Sequence, residues 1–364
     1  MPRRFIAAPP WSIALPVAAC LLLAAVWAIP AGIVVLVVVG AVLIASVLVA
    51  VYHAETVAHR VGEPFGTLIL AMAVTAIELG LIGSMMASGG LEASTLARDT
   101  VFATVMIVLN GVVGVCLLAG TLRHRILTFR IEGTGQALSV LAPMTVLTLV
   151  LPTFTVTAPG PVYTGSQLAF AGIASLLLYV VFVFVQTSRH RDDFVSEISE
   201  NTVVDDDADH RPSRAAMWSS LVLLVIALVA VIGLAKKLAP SIEASVKAAD
   251  APDAVTGIII ALLVLLPETS AAVRAALRNR MQTSLNLALG SALATIGLTI
   301  PAVAVLATLL HVPLELGLSA LQIVLLAISL LVATCTLARG RATVLHGAVH
   351  LILFGAYLFL AVVP

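Results

Sequence analysis

Eleven apolar runs follow one another through the chain, each long enough to cross a bilayer as a helix. They lie near 11–29, 31–53, 64–88, 98–121, 134–154, 166–188, 215–238, 251–278, 282–309, 315–338 and 343–363. About 20 apolar residues span the hydrocarbon core, so the expected fold class is all-α integral membrane, with eleven transmembrane helices. Pro30, Gly62, Gly89-Gly90, Gly133/Gly135 and Pro313 punctuate the boundaries, as helix breakers should. Only 10% of residues are charged, against about a quarter in soluble chains, so most of the surface has to face lipid. The first run follows Arg3-Arg4 and is longer than a signal-peptide core; it is read as a retained span.

Orientation follows from the basic residues. With the N-terminus cytoplasmic, fifteen Lys and Arg fall in inside segments and four (Arg98, Lys236, Lys237, Lys247) outside. The expected location is a cell (plasma or inner) membrane. Balanced charge gives no nucleic-acid footprint. Three scattered cysteines, with no Cys/His cluster, support neither a disulfide framework nor a zinc site. No P-loop, GxSxG or HExxH occurs, so an enzyme is not expected, nor a cofactor, and any transport must run on a gradient. Partners are then the transported ions and the lipid bilayer; the sequence leaves a homo-oligomer open.

A polar segment, 189–214, divides the chain. Without the first span (1–30), five spans remain in 31–188 and five in 215–364. Five is odd, so the second set enters the membrane the opposite way round, the arithmetic of two inverted five-helix repeats. Laying Thr67–Glu78 over Gly257–Glu268 matches Ala71 with Ala261, Val74 with Val264 and Glu78 with Glu268. The acidic stretch Glu197–Asp209 reads as a solvated cytoplasmic linker, with a cation sensor as the alternative.

The chemistry concentrates on those two glutamates. Glu55, Glu63, Glu92, Asp99, Asp250, Asp253 and Glu315 sit at span ends or in loops, within reach of water. Glu78 and Glu268 lie near mid-span, where an ionisable group costs roughly 2.5 kcal/mol or more. Two carboxylates in one low-dielectric site repel unless protons or a cation neutralise them, and hard oxygen ligands suit Ca²⁺. Competition between protons and cation for the same oxygens is antiport. Pro267 removes a helical hydrogen bond and should kink or unwind the helix beside Glu268, freeing carbonyls for a cation. Thr75 and Thr269 flank the acids. Asn110, Asn286 and Ser291, on the spans that follow them, are candidate ligands or braces, and Gly290 should let helices approach closely. His53, His124 and His311 fall at membrane edges. His346 and His350, four apart on the last helix, have chelating spacing but no carboxylate partner.

The stretches GEPFGTLILAMAVTAIELGLIGSMM (62–86), ARDTVFATVMIVLNGVVG (97–114), LVLPTFT (149–155) and LLVLLPETSAAVRAALRNRMQTSLNLALGSALATIGLTIP (262–301) resemble the cation/proton exchanger family of the cation/Ca²⁺ exchanger superfamily, most of all its ChaA-type bacterial calcium/proton antiporters. The resemblance implies an N-terminal helix plus a ten-helix inverted-repeat core. By motif it places ion and proton binding on Glu78 and Glu268, with contributions from Asn110 and Gly290-Ser291. It implies a Ca²⁺/H⁺ antiporter, with Na⁺ and K⁺ as further candidate ions. Many members carry Gly-Asn where Val74-Thr75 and Val264-Leu265 stand here. A sodium-driven calcium exchanger and a cation channel are the alternatives.

Overall fold

The computed structural model describes residues 9–29, 32–61, 65–88, 94–194, 212–252 and 254–363. Arg3, Arg4, Glu63, Glu92, Asp253 and residues 195–211 of the linker lie outside the described residues. The described residues are mostly helical: α1 Pro10–Val26, α2 Ile33–Val61, α3 Phe65–Ser88, α4 Leu96–His124, α5 Ile131–Phe154, α6 Gly165–Arg189, α7 Arg214–Ala248, α8 Ala254–Leu277, α9 Met281–Leu310, α10 Ala320–Leu337 and α11 Val344–Val362. Among the described residues nine helices are long and apolar enough to cross a membrane, and Pro10–Val26 with the Ala71–Met86 stretch of α3 supplies two more apolar helices. Each of the eleven expected runs contains one of these helices, though that expected at 315–338 is helical only from Ala320 and that at 11–29 only to Val26. A two-residue ribbon pairs Leu127 with Ala342 and Thr128 with Arg341, just after α4 and just before α11.

Two compact bodies are present, and each draws on both halves of the sequence. The first contains α1, α2, α3 as far as Met85, and α7 as far as Ser245. Here α1 is fastened to the two helices that open the expected repeats. His53 Nε2 meets the Ser12 carbonyl at 2.9 Å, and Trp11 packs on Tyr52 with ring centres 5.2 Å apart. On the other side Cys20 reaches the Ile226 carbonyl, and Lys237 Nζ caps the end of α1 by donating to Ile29 at 2.8 Å and Trp27 at 3.2 Å. Cationic donors suit the carbonyl-rich end of a helix. His53, expected at a membrane edge, is instead fully buried as the α1–α2 tie.

The second body contains α4–α6 and α8–α11. Its central post is α4: 89% of its most apolar window is buried, against 17–56% for the other long helices. The other helices present broad apolar faces outward, as a lipid solvent requires. α8 and α11 pack along α4, and α9 packs on α8, α5 and α6. The α9–α10 loop is strapped by main-chain bonds from Glu315 to Ser94, Gly317 to Pro161 and Leu318 to Leu149. A Cβ on Gly317 would stand 2.5 Å from Thr153 Oγ1, so only glycine fits there. The strap ends in a capping box, Ser319 and Gln322, which starts α10. Arg98 Nη1 also bonds the Gly317 carbonyl at 3.4 Å. Under this strap Asp99 is 4% exposed and paired with Arg98 Nε at 2.9 Å. The expectation that Asp99 reaches water is corrected: strap and helix packing cover a carboxylate that its sequence position places at a span end.

Candidate functional site

In the first body the candidates lie on α3. Glu78 is 1% exposed and is the one charged residue of α3, and Thr75, three residues earlier, is buried on the same face. Gly80 has a packing task, because a Cβ there would collide with Ile232 of α7. Close helix approach at a small residue therefore brings α7 against the turn that carries Glu78.

In the second body α4 and α8 run parallel and in register, and two contacts fix this. A Gly257 Cβ would lie 2.8 Å from the backbone of Asp99 near the start of both helices, and a Gly120 Cβ would lie 3.3 Å from the Ala276 carbonyl near their ends. Asn110 is eleven residues beyond Asp99, and Glu268 is eleven beyond Gly257. At 1.5 Å per residue each lies about 16 Å along its helix. Asn110 and Glu268 are level.

Asn110 also sits where α4 departs from α-helical geometry, in the π-helical turn Ile107–Val112. Such turns are rare and frequent at functional sites. The side chain is fully buried. Its Nδ2 donates to Ser329 Oγ on α10 at 2.8 Å, and that hydroxyl donates to the Leu325 carbonyl at 2.7 Å. The serine proton is thus committed to Leu325, so the amide must present N–H to it. This fixes the orientation of the amide and leaves Oδ1 buried with no hydrogen-bond partner. An unfilled acceptor at mid-helix is what a cation or a hydronium-like donor would seek.

Glu268 is half-buried, with Thr269 half-buried beside it. The unwinding expected at Pro267 does not occur: α8 is continuous from Ala254 to Leu277. Just past the proline, Ser270 Oγ bonds the carbonyls of both Leu266 and Pro267 at 2.9 Å. π-helical turns fall instead in α4, in α5 at Val146–Val150, in α6 at Val185–Arg189 and in α9 at Thr295–Thr299.

On α9 the two polar candidates have different surroundings. Asn286 Nδ2 donates to the Phe194 carbonyl at 2.6 Å, and its Oδ1 accepts from Gln282 at 3.0 Å. Gln282 Oε1 in turn accepts the Arg130 backbone N–H at 2.8 Å. This amide bracket holds the turn Arg191–Phe194 against the starts of α5 and α9. Ser291 is half-buried. Beside it, no described atom lies within 4 Å of a Gly290 Cβ, so the close approach expected at Gly290 is absent and open space stands there. Sequence reasoning missed Ser329 and the π-helical turns. A lone serine amid the apolar residues of α10 was the available signal for the first.

Among the described residues no three His, Cys, Asp or Glu side chains cluster as a metal cage. Residues 31–188 and 219–363 match the family described as "Sodium/calcium exchanger protein". The chain belongs to that family. Within it, the exchanger is 45% identical to "Putative ionic transporter y4hA" of Sinorhizobium fredii, over 98% of this chain and 97% of that one. It is 38% identical to "Sodium-potassium/proton antiporter ChaA" of Escherichia coli, over 87% and 85% respectively. In fold it is similar to the H⁺/Ca²⁺ exchanger CAX, with a TM-score of 0.74 at 16% identity over 96% of this chain and 86% of that one. For native YfkE the TM-score is 0.73 at 19% identity, over 97% and 100%. The exchanger is a multi-pass membrane transporter.

Proposed function

We propose that the chain is a secondary cation/proton antiporter, with Ca²⁺ as the exported ion and Na⁺ and K⁺ as further substrates. It works by alternating access of two inverted repeats in a cell membrane, with the N-terminus in the cytoplasm. Glu78 and Glu268 are its exchange acids: each takes protons in one state and cation charge in the other. Thr75 beside Glu78, and Asn110 Oδ1, Ser291 and Thr269 in the body that carries Glu268, are the neutral oxygens that contribute to cation binding. Asn286, whose amide is bonded on both sides, acts through the bracket it builds. The observation that carries this reading is the unfilled, fully buried Oδ1 of Asn110, level with Glu268. A hard cation needs several oxygens and tolerates neutral ones.

The reading is tested in everted vesicles holding a proton gradient, with Ca²⁺, Na⁺ and K⁺ added separately. Collapse of the gradient by an added ion assigns the substrate. Glu78→Gln and Glu268→Gln should each abolish the collapse while the protein still accumulates, and normal exchange by either variant removes that residue from the mechanism. The relatives supply a reason to run all three ions: one is described as a sodium-potassium/proton antiporter, and another, 24% identical, as a Ca²⁺/H⁺ antiporter. Ca²⁺ uptake driven by a sodium gradient without a proton gradient would favour a sodium-driven calcium exchanger instead.

A further inference from the structure

His350, on α11, is a fully buried imidazole to which the proposed exchange cycle gives no role. Ionisable groups inside membrane helices are expensive and tend to be functional. Nε2 lies 3.1 Å from Thr336 Oγ1 on α10. Nδ1 is buried with no hydrogen-bond partner, and the Leu109 main chain lies beside the ring. Leu109 lies within the π-helical turn and immediately precedes Asn110.

The packing of α11 on α4 holds the ring there. A Cβ on Gly114 would meet His350 Cβ at 3.1 Å, and one on Gly347 would meet the Leu118 backbone N at 2.6 Å. Phe354 lies one helical turn beyond His350 and covers Gly111, 3.3 Å from its would-be Cβ. The imidazole thus stands in a seam closed by backbone on one side and an aromatic ring on the other.

A π-helical turn interrupts the regular pattern of helical hydrogen bonds, and a carbonyl without a partner in hydrocarbon is costly. A neutral imidazole carries one N–H and one acceptor nitrogen, and the partner at one nitrogen selects which. If Thr336 donates to Nε2, the proton of the ring resides on Nδ1, with the Leu109 main chain beside the ring. Ser329 and Thr336 are seven residues apart on the buried face of α10, so one helix face orients both the Asn110 amide and the His350 ring.

We propose that His350 is a positioning residue: held in its Nδ1–H form by Thr336, it braces the Leu109 carbonyl and so fixes the π-helical turn that presents Asn110 Oδ1 to the transported cation. This rests on the reading that Asn110 is a ligand. It assigns His350 no contact with the ion and no share in proton transfer.

The test measures initial exchange rates against concentration of the cation that the wild-type protein exchanges, in vesicles, for His350→Leu, His350→Asn, His350→Gln and Thr336→Val. An Asn side chain can put an N–H near the position of Nδ1, whereas Gln places its amide nearer that of Nε2. His350→Leu is expected to raise the half-saturating concentration about tenfold, the lower end of what loss of a ligand-orienting partner costs, with maximal rate within about twofold. His350→Asn should recover most of that loss and His350→Gln little. Thr336→Val should raise half-saturation several-fold, and the Thr336→Val/His350→Leu double variant should be no worse than His350→Leu alone. Unchanged half-saturation in His350→Leu overturns the proposal, as does equal recovery by Asn and Gln. Should His350→Leu fail to accumulate, Thr336→Val decides alone, and an unchanged half-saturation there overturns the proposal. Glu268→Gln is measured alongside: normal exchange in that variant defeats the ion-site reading, whereas lost exchange there with an unaffected His350→Leu defeats the positioning role only.

Discussion

Asn110 and Ser329, 219 residues apart in sequence, are joined by a buried 2.8 Å hydrogen bond whose polarity leaves Oδ1 of the amide as its open end. The serine does not need to touch an ion to affect binding, since it determines which end of the amide is offered. Ser329→Ala should therefore raise the half-saturating cation concentration roughly fivefold, about 1 kcal/mol for one net hydrogen bond. Asn110→Leu, which removes the oxygen itself, should cost more than tenfold. A cation titration of exchange in vesicles ranks the two, and the reverse order would contradict the assignment of Oδ1.

Competition between protons and cation has a definite sign. Carboxylates bind cations only when deprotonated, so raising the pH on the binding side should lower half-saturation, by up to about tenfold per unit for each proton displaced. The slope of that plot counts displaced protons. A flat profile across the acid range would separate proton binding from cation binding and leave the glutamates without an exchange role.

The Arg98–Asp99 pair concerns stability. Removing one member of a buried pair strands the other charge, at roughly 3 kcal/mol or more, whereas removing both can be nearly neutral. Arg98→Leu should lower the thermal transition of the detergent-purified protein, and Arg98→Leu/Asp99→Asn should restore most of it. Equal melting of the single and double variants would mean that the pair contributes nothing.

Two glycines give opposite expectations for the same kind of substitution. Gly347→Val forces α11 away from the Leu118 backbone and should cost about 1–3 kcal/mol by overpacking. Gly290→Ala meets open space inside a helix and should leave the melting temperature unchanged or raise it slightly, since a mid-helix glycine costs about 0.5–1 kcal/mol relative to alanine. Fluorescence-monitored thermal unfolding distinguishes them.

The spans were legible because hydrophobic length is a local property: the run expected at 98–121 is the helix Leu96–His124, and that expected at 343–363 is Val344–Val362. Positions within spans were legible too, which is why Glu78, Asn110 and Glu268 stood out as polar groups in apolar surroundings. Long-range features were not. Asp99 is covered by a loop more than 200 residues away in sequence, His53 is buried by a helix whose docking its own neighbours do not encode, and the π-helical turn at Asn110 is a backbone geometry to which no residue type is diagnostic. At Pro267 the sequence allowed either a kink or an unwound turn, and the unwound turn is absent because helical hydrogen bonding continues on both sides of the proline through α8.

The thread from Asn110 to Ser329, and the ribbon from Leu127 to Ala342, also set an order of events during synthesis. Helix α4 leaves the ribosome long before α10 and α11 exist, so its amide enters the lipid with its eventual partner still untranslated. Until the last two helices are inserted, the most enclosed segment of the mature protein is an unfinished one. Chains that stall or are cut short before Ser329 would lack the hydroxyl that orients the Asn110 amide.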